Sequence, residues 1–235
     1  EGELIARLPN SIYSLCAIPN TSLLIAGHNY EGIHMLDWKE KKEVASLQMT
    51  KGAIFDIQYF ENDLLIATGE GALVIVDLEN RVIKRKLALS QRSARVLAVN
   101  PIQNEVAIGF SDNAIRIYSL LDYTLKYEFE AHRNSVFTLS YTHDYKFLIS
   151  GSRDARLKAW QVDSGYKQTN EVAAHLFAIN HIAFSPSGEY FATASMDKSI
   201  KIWKADELKL LKVIDKGRHA GHGTSVNKLV WTDFK

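Results

Sequence analysis

The chain has 235 residues, 46 % of them apolar and 23 % charged, enough apolar surface to offset its conformational entropy, so disorder is excluded as its main state. Its 28 basic and 27 acidic residues leave a formal net charge of +1, without the basic excess of a nucleic-acid coat or a polybasic membrane binder. One cysteine, Cys16, excludes an intramolecular disulfide framework and cannot by itself build a cysteine zinc cluster.

From the N-terminus, residues 3–8 (Glu3-Leu4-Ile5-Ala6-Arg7-Leu8) read as an alternating strand, the last of a four-strand unit. A faint hairpin follows, with Leu24-Ile25-Ala26-Gly27 leading to Ile33-His34-Met35-Leu36. The charged run from Lys39 to Glu43 then reads as a solvated turn. Leu65-Ile66-Ala67-Thr68-Gly69 leads in the same way to Leu73-Val74-Ile75-Val76. Such apolar runs have strand length and fall far short of a membrane span. A third hairpin runs from Val106 to Tyr118, a fourth from Phe147 to Trp160 and a fifth from Phe191 to Trp203.

The closing aromatics Tyr118, Trp160 and Trp203 stand 42 and 43 positions apart, a period that suits four short strands with their turns. First strands follow an apolar-x-x-apolar pattern, as in Val136-Phe137-Thr138-Leu139. Fourth strands are alternating and charged, as in Leu125-Lys126-Tyr127-Glu128-Phe129 and residues 208–214, the pattern of an outer strand with one wet face. Residues 226–231 read as one more first strand. The chain is expected to be all-β.

These residues resemble the WD-repeat (WD40) family of β-propellers over essentially the whole chain. Pairs similar to the family's Gly-His stand at Ala131-His132, Ala174-His175 and Gly221-His222, and the closing Trp-Asp has drifted to Tyr118-Ser119, Trp160-Gln161 and Trp203-Lys204. His132 to Trp160 and His175 to Trp203 are both 28 positions. The resemblance implies blades at residues 11–50, 52–90, 92–131, 133–174 and 176–220, with partial blades at 1–9 and 222–235. The chain then reads as a fragment of a seven-bladed propeller, which at this period would need roughly thirty more residues at each end. A six-bladed ring closed by the two termini is the alternative.

The family's buried tetrad would be His132, Ser150, Asp154 and Trp160 in one repeat and His175, Thr193, Asp197 and Trp203 in the next. The repeat ending at Tyr118 keeps Asp112 but has Ser90 and Ile108 at the His and Ser places. The first two repeats retain almost nothing of the tetrad and are expected to rely on apolar packing. His222 is expected to serve as a pre-strand histidine.

No catalytic signature is present, neither Gly-x-Ser-x-Gly, nor His-Glu-x-x-His, nor a phosphate-binding Gly-x-x-x-x-Gly-Lys run. Gly69-Glu70-Gly71 starts like a dinucleotide loop, but Val74 replaces the third glycine and a strand follows. His219 and His222, like His28 and His34, lack an evident third ligand, so no metal and no cofactor is expected. Cys16, on a first strand with no basic neighbour, reads as a packed thiol.

The resemblance implies a recognition rim at the channel mouth. The position after the leading apolar residue of each first strand gives Tyr13, Phe55, Arg95, Phe137, Asn180 and Asn227. The residue before each turn aspartate adds Ser111, Arg153 and Met196, and Phe177 and residues 216–219 should lie on the same side. Aromatics and arginines on a rigid scaffold are the composition of an interface hot spot. The expected function is a non-catalytic, cytoplasmic scaffold binding a protein or peptide, with no nucleic-acid or membrane partner. An enzyme or small-ligand propeller using the channel mouth is the alternative.

Overall fold

A computed structural model describes residues 3–8, 10–29, 32–219 and 221–232. Among them, twenty strands form five four-stranded antiparallel sheets, each a meander in chain order. The chain divides into two compact units at Leu97/Ala98.

The first unit holds two complete sheets. One consists of β1 (Ile12–Ala17), β2 (Leu23–His28), β3 (Gly32–Asp37) and β4 (Lys42–Gln48). The other consists of β5 (Ile54–Phe60), β6 (Asp63–Thr68), β7 (Ala72–Asp77) and β8 (Val82–Ala88). Their inner strands are apolar runs covered on both faces, and Ile25, Ile33, Met35, Ile54, Ile66 and Val74 form one core between them. Gly27 permits this approach, because a Cβ there would stand 2.4 Å from Ile54.

The third sheet joins β9 (Ala94–Asn100), which spans the division, to β10 (Glu105–Phe110), β11 (Ala114–Ser119) and β12 (Leu125–Glu130). The second unit adds β13 (Val136–Tyr141), β14 (Phe147–Ser152), β15 (Arg156–Gln161) and β16 (Lys167–Ala173). Its last sheet is β17 (Ile179–Phe184), β18 (Tyr190–Ser195), β19 (Ile200–Lys204) and β20 (Lys209–Ile214). Ile149, Leu157, Ile179, Phe191, Trp203 and Leu208 pack together between these two sheets.

Local chemistry repeats with the sheets. The residue after the turn acid adopts a left-handed backbone at Gly71, Asn113, Ala155 and Lys198. The fourth strands β8, β12 and β20 are largely exposed, matching their charged alternation.

The structure departs from the sequence reading at both ends. Residues 3–8 and 226–231 form no strand, because a strand is defined by a hydrogen-bonded ladder and neither segment has one. Residues 1, 2, 9 and 233–235, which belong to the expected partial blades, lie outside the described residues. The expected loop at 216–219 is one helical turn, α1 (Lys216–His219), with the Arg218 N–H donating to Asp215.

Candidate functional site

A single irregularity aims the candidate contact residues. In β1 the ladder steps from Ile12↔His28 to Ser14↔Gly27, leaving Tyr13 without a cross-strand partner. The same bulge falls at Phe55 in β5, Phe137 in β13 and Asn180 in β17. A bulged residue leaves the alternation of its strand and is re-aimed. This is why these positions stood outside the apolar pattern.

In the fourth sheet, Trp160 donates its indole N–H to Ser150 Oγ at 2.9 Å, and Ser150 lies 2.8 Å from His132 Nε2. His132 Nδ1 meets Asp154 at 3.1 Å. A neutral imidazole with its proton on Nδ1 satisfies the whole chain, from indole to hydroxyl to imidazole to carboxylate. The fifth sheet repeats it: Trp203 to Thr193 at 2.9 Å, Thr193 to His175 at 2.7 Å, and His175 to Asp197 at 2.9 Å. Burial of the His175 ring lowers its pKa and outweighs the pull of Asp197. Burial pushes the Asp197 carboxyl up, but hydrogen bonds from Ser199, the Leu176 N–H and His175 prevail and hold it at about 2. Asp154 is likewise held below the usual carboxylate range, its burial outweighed by His132 and the Arg133 N–H.

Elsewhere the tetrad is replaced rather than lost, which corrects the expectation of apolar packing alone. In the second sheet Glu70 takes the place of the turn aspartate and accepts the Lys51 N–H at 3.1 Å, as Asp154 accepts Arg133. Asp112 in the third sheet pairs with Arg116 at 2.9 Å. In the first sheet His28 Nε2 meets His34 Nε2 at 2.5 Å, and His34 Nδ1 meets Glu43 at 2.6 Å. His222 is exposed, because no hairpin follows it among the described residues to enclose the ring.

In the first unit Arg95 Cζ lies 3.8 Å from the centre of the Phe55 ring, and Tyr13 meets Phe55 edge-on at 5.8 Å. Tyr13 is 47 % exposed. In the second unit Phe177 and Met196 are exposed, and the Met196 N–H donates to Ala178 O at 2.9 Å. Arg153 is exposed beside Asp154 and Phe137 is half-buried. Asn180 and Asn227 behave differently: Asn180 Nδ2 donates to Val226 O at 2.9 Å and lies 3.3 Å from Asn227 Oδ1. These two amides hold residues 225–227 against β17. Arg133 and Leu176, which no sequence pattern marks, lie in the same loops, each tied by its N–H bond to a turn aspartate.

No sequence pattern marks two links between neighbouring first strands and a third from β17 to the C-terminal segment. Asp56 accepts the Leu97 N–H at 2.9 Å, Thr138 accepts that of Ile182 at 3.0 Å, and His181 Nδ1 accepts that of Leu229 at 3.2 Å. Burial and the charge of Lys228 lower the pKa of His181 to about 4, which keeps Nδ1 an acceptor. A second buried chain joins Tyr141 to Tyr166 at 2.8 Å and Tyr166 to Glu105 at 2.6 Å, with Lys126 on the other carboxylate oxygen. Lys126 is the extra residue where β12 slips register against β11; the bulge turns it towards Glu105.

Burial and the nearby Asp56 carboxylate push the Cys16 thiol up to about 11, so it is not a thiolate at neutral pH. A cavity of about 340 Å³ lined by His143, Asp144, Phe147 and Asp206 lies among the turns at the end of the sheets opposite the tetrads. Among the described residues no three His, Cys, Asp or Glu side chains converge as a metal site. Among the described residues no helix is long and apolar enough to cross a membrane.

Residues 123–161 and 166–204 match the family model described as "WD domain, G-beta repeat". Rat (Rattus norvegicus) WD repeat-containing protein 1 is 33 % identical over 141 residues, which cover 59 % of this chain and 23 % of the relative. The 66 kDa stress protein of Physarum polycephalum is 26 % identical over 78 % of this chain and 31 % of its own length. Polyadenylation factor subunit 2 of Candida albicans is 22 % identical over 56 % of this chain and 24 % of its own length. The chain thus spans between about a quarter and a third of the relatives it matches.

Proposed function

We propose that this chain, two stretches of which match the WD-domain model, is a non-catalytic scaffold capturing a protein or peptide segment on the tetrad-end rim of its blades. The observation that carries this reading is the exposure of large apolar side chains on backbone tied down by turns: Leu176 is 84 %, Phe177 59 % and Met196 57 % exposed. Exposed apolar groups gathered on a rigid support mark interaction sites, and a support ordered before binding avoids the entropy cost of ordering it. In the first unit the Arg95, Phe55 and Tyr13 cluster has the same character. A cytoplasmic location accords with the single cysteine, Cys16.

The test is affinity capture from a cell extract with the chain immobilised, followed by identification of the retained proteins. Tyr13→Ala with Arg95→Glu in one variant should lose a partner held by the first unit, and Phe177→Ala with Arg153→Glu in another a partner held by the second, each melting within a few degrees of the wild type. Undiminished capture by both folded variants would refute the rim.

A further inference from the structure

The second unit presents a rim of two different halves on one repeated backbone. Arg133 and Leu176 both follow a tetrad histidine, and their N–H groups bond the turn aspartates at 3.0 and 3.1 Å. Arg153 and Met196 both precede a turn aspartate, and their N–H groups bond Ser135 O and Ala178 O at 3.0 and 2.9 Å. Equivalent positions therefore carry two arginines in the fourth sheet and two apolar residues in the fifth, with exposed Phe177 beside them. The sheets are neighbours here, since the Ile182 N–H of β17 donates to Thr138 of β13.

The charges do not balance within this rim. Asp154 and Asp197 face their histidines, with side chains only 8 % and 7 % exposed. Arg133, Arg153 and Lys198 are exposed, and none has an ion pair among the described residues. A basic segment laid across them would be repelled, and a purely apolar one would bury cations without partners. Resting on the rim reading above, we infer that the fourth- and fifth-sheet rim takes an acidic peptide segment that carries an apolar anchor, carboxylates on Arg133 and Arg153 and the anchor on Leu176, Phe177 and Met196.

The chain supplies its own reporter: of its three methionines, Met196 is exposed while Met35 and Met49 are buried in the first unit. The full chain labelled with ¹³C on its methionine methyls is titrated with the synthetic peptide Asp-Glu-Leu-Phe-Asp-Glu and with a counterpart carrying Lys in place of every acid. The acidic peptide should shift the Met196 signal saturably, leaving Met35 and Met49 in place. Arg153→Glu and Phe177→Ser should each weaken that binding about tenfold, and the lysine peptide should not bind. No shift of Met196, an equal shift by the lysine peptide, or a shift only with vesicles of anionic lipid would overturn the inference. If the retained partner still needs the rim but the acidic peptide neither binds nor competes with it, the partner chemistry fails while the rim reading stands. Loss of the rim requirement itself removes both.

Discussion

The guanidinium of Arg95 stacks on the Phe55 ring at 3.8 Å, and both residues follow the leading apolar position of a first strand. The strand bulge at Phe55 takes the ring out of the β5–β6 ladder, where Arg95 on β9 covers one face. A partly exposed cation–π pair is worth only about 0.5–1 kcal/mol. Phe55→Ala should therefore lower the melting temperature by a few degrees at most while abolishing partner capture. Thermal melts and capture assays on the same preparation check this; parallel loss of both would make Phe55 a packing residue.

Removal of a turn aspartate should act in the opposite sense. Asp154→Ala strips His132 and the Arg133 N–H of their acceptor, and Asp197→Ala does the same to His175 and Leu176. Each should cost roughly 2–3 kcal/mol, the scale of lost hydrogen bonds to a charged group. For Asp197 the folded pKa of about 2 lies below the ordinary aspartate value of 3.8. Its contribution is thus present above pH 4 and lost as pH falls through about 2. Urea titrations at pH 7 and pH 2.5 should show the wild type converging on Asp197→Ala in acid; a constant gap would contradict the assignment.

Tyr166→Phe should be far more costly than an exposed Tyr→Phe change. The hydroxyl joins Tyr141 to a fully buried Glu105, and its loss leaves Glu105 with Lys126 alone. We expect a loss of about 1–3 kcal/mol, read by denaturant unfolding. Burial raises the pKa of both phenols. Alkaline spectrophotometric titration of the wild type should therefore leave Tyr141 and Tyr166 un-ionised where exposed tyrosines titrate.

His181 provides a pH test of the C-terminal segment. Its folded pKa of about 4 lies below the ordinary histidine value of 6.5, so the unfolded state binds more protons between these values. Stability from this group is complete above about pH 6.5 and falls as pH drops towards 4. The ring accepts the Leu229 N–H only when Nδ1 is unprotonated. The protection factor of the Leu229 amide, its exchange rate referred to the intrinsic rate at each pH, should fall sharply between pH 6 and 4 in the wild type, and His181→Phe should abolish that pH dependence. An unchanged profile in the variant would refute the link.

The hairpins, their period and the two tetrads were legible because each is local: turn acid, hydroxyl and aromatic lie at fixed offsets along one stretch of chain. The bulge residues showed only as gaps in an apolar pattern. Glu70 did not stand out as a turn acid, because it lies 19 positions after the N–H that it accepts where Asp154 lies 21. The Glu105–Tyr166–Tyr141 chain was invisible, since Glu105 and Tyr166 are 61 residues apart and no short pattern joins them. Asn180 and Asn227 fitted the rim pattern, but their amides are engaged with one another, a pairing set by packing across 47 residues. Residues 3–8 and 226–231 carry apolar patterns that read as a fourth and a first strand, yet a pattern without a partner makes no ladder.

The most direct test of the rim is amide hydrogen exchange of the chain free and bound to the partner that it retains. The account predicts added protection in the tetrad-end loops, around residues 133–137, 153–155, 176–180 and 196–198, with the fourth strands β4, β8, β12, β16 and β20 unchanged. Protection confined to those outer strands, or to the turns around the cavity at His143, with the rim unaltered would contradict it.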